Sequence, residues 1–342
     1  MEPVGPAFGR ARCVARVGDR DLQHDTRHAL RLGADGAWAR DPRPTMNRMQ
    51  VPAPIEYARA TSVEDAVGLL ERLGEEARVI AGGHSLLPMM KLRLATPEYL
   101  VDINDLHDSL SYIETDGAVV RIGAMTRHRE LLESELLWDL FPIFRDAERV
   151  IADPPVRNRG TLGGALCQAD PAEDLSSVCT TLDAVCVIQG PSGTRQVTMD
   201  EFHRGPYETA VAHAELLTEV RIPVRRPGSS AYLKVDRRAG DWAVVAAGAA
   251  IWLDHGLITD ARVGLAAVGP NTTGIPEVSA ALRGRRPDDE AFAEAGRLAA
   301  ASCRPVTDAR GSEAYKRHLA DELTRRTLRT AADRALAGAR TE

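Results

Sequence analysis

Two glycine-rich segments carry the residue types that could do chemistry. The first is Val79-Ile-Ala-Gly-Gly-His-Ser-Leu86. The second is Arg159-Gly-Thr-Leu-Gly-Gly-Ala165, which runs on to Asp170-Pro-Ala-Glu-Asp174. Adjacent glycines have no Cβ and reach positive φ, so the backbone can approach an anion with several N–H groups aimed at it. Hydroxyls at Ser85 and Thr161 would add donors. Two such loops in one domain suit the two phosphates of a dinucleotide, gripped from both sides. Neither is the G-x-G-x-x-G of a nicotinamide fold, and no G-x-x-x-x-G-K-[ST] occurs. The zinc-protease H-E-x-x-H and the G-x-S-x-G nucleophile elbow are missing too.

Other groups bear on the same question. Asp170, Glu173 and Asp174 place three acids beside a proline. Contact with a ligand, a helix start balancing its macrodipole and a hard cation all fit this cluster. The five cysteines, at 13, 167, 179, 186 and 303, show no C-x-x-C spacing. They suit neither an iron–sulfur cluster nor structural zinc, and read as reduced thiols. Cys167 reads as a buried small hydrophobe. All but three of the 43 basic residues are Arg, so Lys91, Lys234 and Lys316 each draw notice. Arg157 and Arg159, which precede the second loop, read either as balancing phosphate charge or as ordinary surface arginines.

The elements that must position these residues come next. With 342 residues, 44% hydrophobic and 27% charged, the chain is of ordinary globular composition and has room for two to three domains. A net charge of −6 argues against general nucleic-acid binding. The longest apolar run, Trp242–Leu253, is too short to span a bilayer, so a cytoplasmic protein is expected. Residues 1–48 carry nine Arg against six acids with little periodicity, and read as a disordered extension.

From residue 50 the pattern sharpens. Thr61-Ser-Val-Glu64 reads as a capping box opening a helix that Gly74 stops. Strands are expected at 78–81, 99–103, 119–124, 184–189, 195–198 and 216–222, with a helical or irregular stretch over 86–94 and a helix over 129–140. Val224–Ser230 reads as a linker. Beyond it, 231–236, 243–253 and 257–268 form an antiparallel sheet with a turn at Asp254-His-Gly256. Residues 276–337 are helical, with Tyr315, Leu319 and Leu323 on one stripe.

Taken in order, several motifs resemble the FAD-binding medium subunits of the molybdenum hydroxylases, such as those of aerobic carbon monoxide dehydrogenase and the flavin domains of xanthine dehydrogenase. They are Ala81-Gly-Gly-His-Ser-Leu-Leu-Pro88 with Met90-Lys-Leu-Arg93, Ile122-Gly-Ala124, Asp153-Pro-Pro-Val-Arg-Asn-Arg-Gly-Thr-Leu-Gly-Gly164 and Ala169–Asp174. Glu215–Pro223, Tyr232–Asp241, Ala267-Val-Gly-Pro270 and Asp308–His318 complete the set. The resemblance spans roughly 49–338. It implies an α+β fold: a p-cresol methylhydroxylase-type FAD-binding domain of two α+β lobes over 49–225, then a C-terminal flavoprotein domain over 226–338 with a three-stranded antiparallel sheet and helices.

The resemblance also assigns residues. Ile80, Ala81, Gly82, Gly83, His84, Ser85 and Leu86, with Thr161, Leu162, Gly163, Gly164 and Ala165, would hold the FAD pyrophosphate, chiefly through backbone N–H groups. Asp174 and Leu217 match FAD contacts, although the apolar strand around Leu217 points to core packing. Lys234 matches a lysine near the flavin, where a cation would raise the flavin potential. The implied activity is an oxidoreductase relay. Electrons pass from a molybdopterin-containing large subunit, through two iron–sulfur clusters of a small subunit, to this FAD and on to NAD, a quinone or another acceptor. The implied assembly is a dimer of heterotrimers. No catalytic acid, base or metal ligand is expected in this chain. The rival reading is a self-contained FAD oxidase with flavin linked covalently at His84, and a third is an FAD scaffold without turnover.

Overall fold

The computed structural model describes residues 51–270 and 272–338, together with the backbone of two short strands, Leu30–Leu32 and Trp38–Arg40, which pair antiparallel. Apart from those strands, the extension expected over 1–48 lies outside the described residues.

The first lobe is a three-stranded parallel sheet, ordered Glu56–Arg59, Tyr99–Asp102, Ala77–Ile80. The helix Val63–Leu73 buries Ala66, Val67, Leu69 and Leu70 in this lobe's core. Its cap falls one residue later than the sequence pattern suggests. Ser62 Oγ accepts from Asp65 N at 3.1 Å, while Asp65 Oδ2 accepts from Thr61 N at 2.9 Å. Thr61 is therefore a partner of the box and Ser62 is the N-cap.

The second lobe is a five-stranded antiparallel sheet, ordered Ile113–Thr115, Val119–Gly123, Leu216–Pro223, Val185–Gly190, Gly193–Thr198. The single helix expected over 129–140 is two, His128–Glu133 and Glu135–Leu140, because Ser134 turns the chain and caps the second through Leu137 N. A further helix, Pro142–Glu148, follows, with Pro142 in its first turn. In the central strand the register shifts between Leu217 and Glu219, so that Thr218 sits in a bulge.

The C-terminal domain has three long antiparallel strands, Gly228–Val235, Val245–Asp254 and Leu257–Ala266, with the two-residue strand Thr273–Gly274 at the edge. The first strand already begins inside the segment read as a linker. The middle strand is buried on both faces, which explains its unbroken apolar sequence. Ala246 and Ala250 join the core of the second lobe, whereas Ala247, Ala249 and Ile251 join a separate core with the helices Pro276–Leu282, Asp289–Ser302 and Glu313–Gly338. On the last helix the buried stripe is Lys316, Leu319, Ala320 and Leu323. Tyr315 is exposed at the helix start, and Lys316 takes the inward place by pairing with Asp308 at 2.7 Å and the Val306 carbonyl at 2.9 Å.

The helix Asp174–Thr181 joins the two domains, and every one of its residues is buried. It lies on the C-terminal sheet where the strands carry glycine. A Cβ on Gly248 would sit 2.6 Å from Thr181 Oγ1, and one on Gly264 would sit 2.6 Å from the Ser177 carbonyl oxygen.

Glu219, next to the bulge, is 3% exposed. Its carboxylate accepts from Tyr112 Oη at 2.6 Å, Arg121 Nε at 2.7 Å and Arg221 Nε at 2.5 Å. Burial alone would raise its pKa, but these donors hold it below the ordinary value. A depressed folded-state pKa contributes stability above the unfolded carboxylate value and loses it as pH falls through the folded one. Glu219→Gln is expected to cost about 1–3 kcal/mol in urea unfolding at pH 7. The gap from wild type should narrow below about pH 4, and an equal gap at both pH values would exclude the charge as its source.

Candidate functional site

The two glycine loops meet where the lobes meet. The first follows the strand Ala77–Ile80 and leads into the helix Leu86–Lys91. The second follows the short helix Pro154–Arg157 and leads into the helix Leu162–Gln168. A Cβ on Gly82 would lie 2.2 Å from the Arg159 carbonyl oxygen and 2.8 Å from Gly160 Cα. Only glycine allows this backbone-on-backbone approach.

The loops differ in what they leave open. In the second, the Leu162 amide donates to the Thr126 carbonyl at 2.9 Å and the Gly163 amide to the Ala124 carbonyl at 2.8 Å. The Gly164 amide donates to Thr161 Oγ1 at 3.0 Å, and the Ala165 amide to the Thr161 carbonyl at 3.0 Å. Thr161 is the helix N-cap and is buried, so its oxygen is already engaged. In the first loop, no amide from Gly82 to Leu86 finds an acceptor among the described residues. Ser85 makes no side-chain cap bond, Gly83 is at φ 78°, and His84 is exposed. The open donors that suit a diphosphate thus sit on the Gly82–Leu86 loop, and the second loop offers close approach instead.

The helices that leave the loops touch each other, with Gln168 Nε2 in contact with Met89 Sδ at 3.4 Å. Gly164 and Cys167, one turn apart, share the open face of their helix. Cys167 is exposed, which corrects the expectation of a buried thiol. Desolvation nevertheless pushes its pKa up to about 12.

Asp174 and Lys234, from different domains, form a buried ion pair at 2.9 Å, with side chains 6% and 2% exposed. Tyr232 Oη donates to the other Asp174 oxygen, and Lys234 Nζ also approaches the Val150 carbonyl at 3.3 Å. Burial pushes the Asp174 carboxyl up, against the pull of Lys234 and Tyr232. Glu173 is the N-cap of the same helix, accepting from Leu175 N at 2.9 Å and Ser176 N at 2.6 Å. Asp170 accepts from Ala172 N at 2.9 Å and from Tyr207 Oη at 3.1 Å. The acid cluster is therefore divided among a helix cap, a turn and an ion pair. No group of three His, Cys, Asp or Glu among the described residues is placed to hold a metal. Leu217 is buried in the core of the second lobe.

Four residues take part in the site without a role in it read from the sequence. Tyr232 shares a strand face with Lys234 by its spacing of two, so its signal was available. The buried His128–Glu148 pair, at 3.0 Å, packs beneath the second loop, where a Cβ on Gly160 would lie 2.7 Å from His128 Cδ2. Arg127 donates to the Arg159 carbonyl. Nothing local in the sequence marks these last contacts.

Comparison with known proteins gives two adjoining family matches. Residues 53–225 match the FAD binding domain in molybdopterin dehydrogenase, and residues 230–331 match the CO dehydrogenase flavoprotein C-terminal domain. The carbon monoxide dehydrogenase medium chain of Afipia carboxidovorans is 40% identical over 286 residues, covering 83% of this chain and 99% of that one. The glyceraldehyde dehydrogenase medium chain of Sulfolobus acidocaldarius is 35% identical, covering 82% and 99%. Among solved structures, reconstituted CO dehydrogenase from Oligotropha carboxidovorans superposes with a TM-score of 0.81 at 40% identity, covering 83% of this chain and 99% of that one.

The junction at Gly82 yields a direct test. Gly82→Ala drives a methyl group into the Arg159 carbonyl and forces the loops apart. Overpacking of this kind costs about 1–3 kcal/mol, so the variant should keep its far-ultraviolet circular dichroism while losing bound flavin on gel filtration. Full flavin retention would show that the close approach of the loops does not matter.

Proposed function

The chain belongs to the FAD-binding medium subunits of the molybdenum hydroxylase family, and we propose that it passes electrons from iron–sulfur clusters of a partner subunit through FAD to NAD, a quinone or another acceptor. It is an FAD flavoprotein and an oxidoreductase subunit. When bound, FAD supplies the redox centre; the chain's own residues bind it, orient it and set its surroundings. The observation that carries the proposal is the run of open amides from Gly82 to Leu86, set against the closely packed second loop. In this reading Ile80–Leu86 and Thr161–Ala165 line the diphosphate. Asp174, Lys234 and Leu217 lie along the flavin end, where the Asp174–Lys234 pair fixes one domain against the other.

The proposed partners are a molybdopterin-containing large subunit and a small subunit with two iron–sulfur clusters, in a dimer of heterotrimers. The cysteines support this division of labour. Cys179, Cys186 and Cys303 are buried, and desolvation pushes Cys186 and Cys303 well above the ordinary thiol range. No described helix is long and apolar enough to cross a membrane, and the proposed location is the cytoplasm. The rival reading, a self-contained oxidase with covalent flavin, draws on the exposure of His84 at the first loop.

Affinity purification from the native host, with cofactors quantified, tests the relay. FAD with Mo and Fe in copurifying large and small chains is the expected result; FAD alone, with turnover of an organic substrate, would favour the oxidase. Acid precipitation should release the yellow flavin into the supernatant, and flavin kept in the pellet would indicate a covalent link.

The ion pair gives a second prediction. Lys234→Met leaves Asp174 buried and unpaired and should cost about 3–5 kcal/mol, whereas the double variant Asp174→Asn, Lys234→Met should recover much of that stability. Both variants should shift the flavin midpoint potential or weaken FAD binding. Unchanged potential and affinity in the double variant would leave the pair a purely structural role.

A further inference from the structure

Arg127 is 9% exposed and lies at the junction of the two loops. Its Nη1 donates to the Arg159 carbonyl oxygen, the same oxygen that occupies the space where Gly82 would carry a Cβ. Its Nη2 donates to Asn104 Oδ1 at 3.2 Å, and Arg159 Nη2 donates to that same oxygen at 3.2 Å. Asn104 in turn donates from Nδ2 to the Ala81 carbonyl at 2.8 Å. Two guanidiniums thus converge on one neutral amide oxygen that is fastened to the first loop.

Neither guanidinium forms an ion pair with a carboxylate of the described residues. The acids whose charge reaches Arg127 are Glu130 and Asp102, and both are engaged elsewhere. Glu130 Oε2 accepts from the Arg127 amide at 2.6 Å and from Ser111 Oγ at 2.8 Å. Asp102 Oδ1 accepts from Asn104 N at 2.8 Å and Asn104 Nδ2 at 2.6 Å, and its other oxygen accepts from Tyr57 Oη. Arg157, on the same side of the second loop, is likewise held by a carbonyl, that of Ile151 at 2.7 Å. Desolvation, then the charge of Arg159, holds the Arg127 pKa below its ordinary value. A buried cation held only by neutral acceptors is unfavourable in the empty protein. Neutral acceptors orient the group without cancelling its field, which then reaches beyond hydrogen-bond contact in a low-dielectric site.

We propose that Arg127 is a binding residue for the diphosphate of the bound dinucleotide, which supplies the counter-charge that no carboxylate of the described residues supplies. The proposal rests on the FAD reading above and adds a residue to it.

Flavin release from the full-length protein, in the assembly in which it is isolated, tests the idea. Release is followed as recovery of flavin fluorescence after dilution at several salt concentrations, beside thermal melting of the flavin-free form. Arg127→Gln should release FAD about tenfold faster or more at low salt and flatten the salt dependence of release. It should leave the melting temperature of the flavin-free form unchanged or higher. Arg127→Lys keeps the charge and should keep most of the salt dependence. Arg129→Gln removes an exposed charge that pairs with Glu133 at 2.9 Å, and should behave as wild type. Equal release from wild type and Arg127→Gln at every salt concentration overturns the proposal. So does a lower melting temperature of flavin-free Arg127→Gln with release unchanged, which would make Arg127 only a latch between the loops. Wild-type protein that retains no FAD would overturn the cofactor reading itself, before any variant is compared.

Discussion

The contact of Gly82 with the Arg159–Gly160 backbone is the constraint on which the rest depends. It joins a parallel three-stranded lobe to an antiparallel five-stranded one with no side chain between them. Behind it a line of backbone hydrogen bonds runs into the second sheet. Gly163 bonds to the Ala124 carbonyl, and the Ala124 amide bonds to the carbonyl of Thr218 in the bulge. The bulge therefore aims a strand carbonyl at the segment that holds the second loop. Arg127 and Asn104 tie the carbonyls of Arg159 and Ala81 from the side. The spacing of the loops is thus set by the backbone contact at Gly82, with the Arg127 and Asn104 side chains as ties.

A second joint holds the C-terminal domain. The helix Asp174–Thr181 rests on the glycines of two strands and presents Asp174 to Tyr232 and Lys234. Arg334 of the last helix reaches across to Asp146 at 2.6 Å and to the Ser230 carbonyl at 2.7 Å. Buried ion pairs such as Asp174–Lys234 add little net stability, because desolvation offsets their attraction. They do penalise any other seating of the two domains, since a shift would leave a charge buried and alone.

Much of this was legible in the sequence, and the reasons are physical. The first glycine loop follows the apolar strand Ala77–Ile80, and the strands announce themselves by short apolar runs with turn residues between them. Val245–Leu253 is doubly buried and so reads as an unbroken run. Boundaries were less legible. Ser134 splits a helix whose apolar pattern continues through it, and Ser62 takes over a cap that Thr61 also satisfies on paper. Least legible was the partnership between distant polar groups. Asp174 and Lys234 were each singled out by resemblance, but their pairing across 60 residues is a product of the domain interface. His128 with Glu148, and Arg127 with Asn104, have no local pattern, because each pair is defined only once two elements have packed. The free or engaged state of an amide is likewise invisible to the sequence, and so the difference between the two loops emerges only in three dimensions.

That difference bears on how the protein is made. The segment Leu162–Ala165 closes its donors on carbonyls and a hydroxyl of its own lobe, so that lobe can reach its final form on an empty chain. In the proposed reading, the segment Gly82–Leu86, whose amides find no acceptor among the described residues, keeps its donors for the cofactor. Cofactor insertion can then follow chain folding as a separate, late step of biogenesis, with one wall of the cradle finished in advance and the other completed by its cargo.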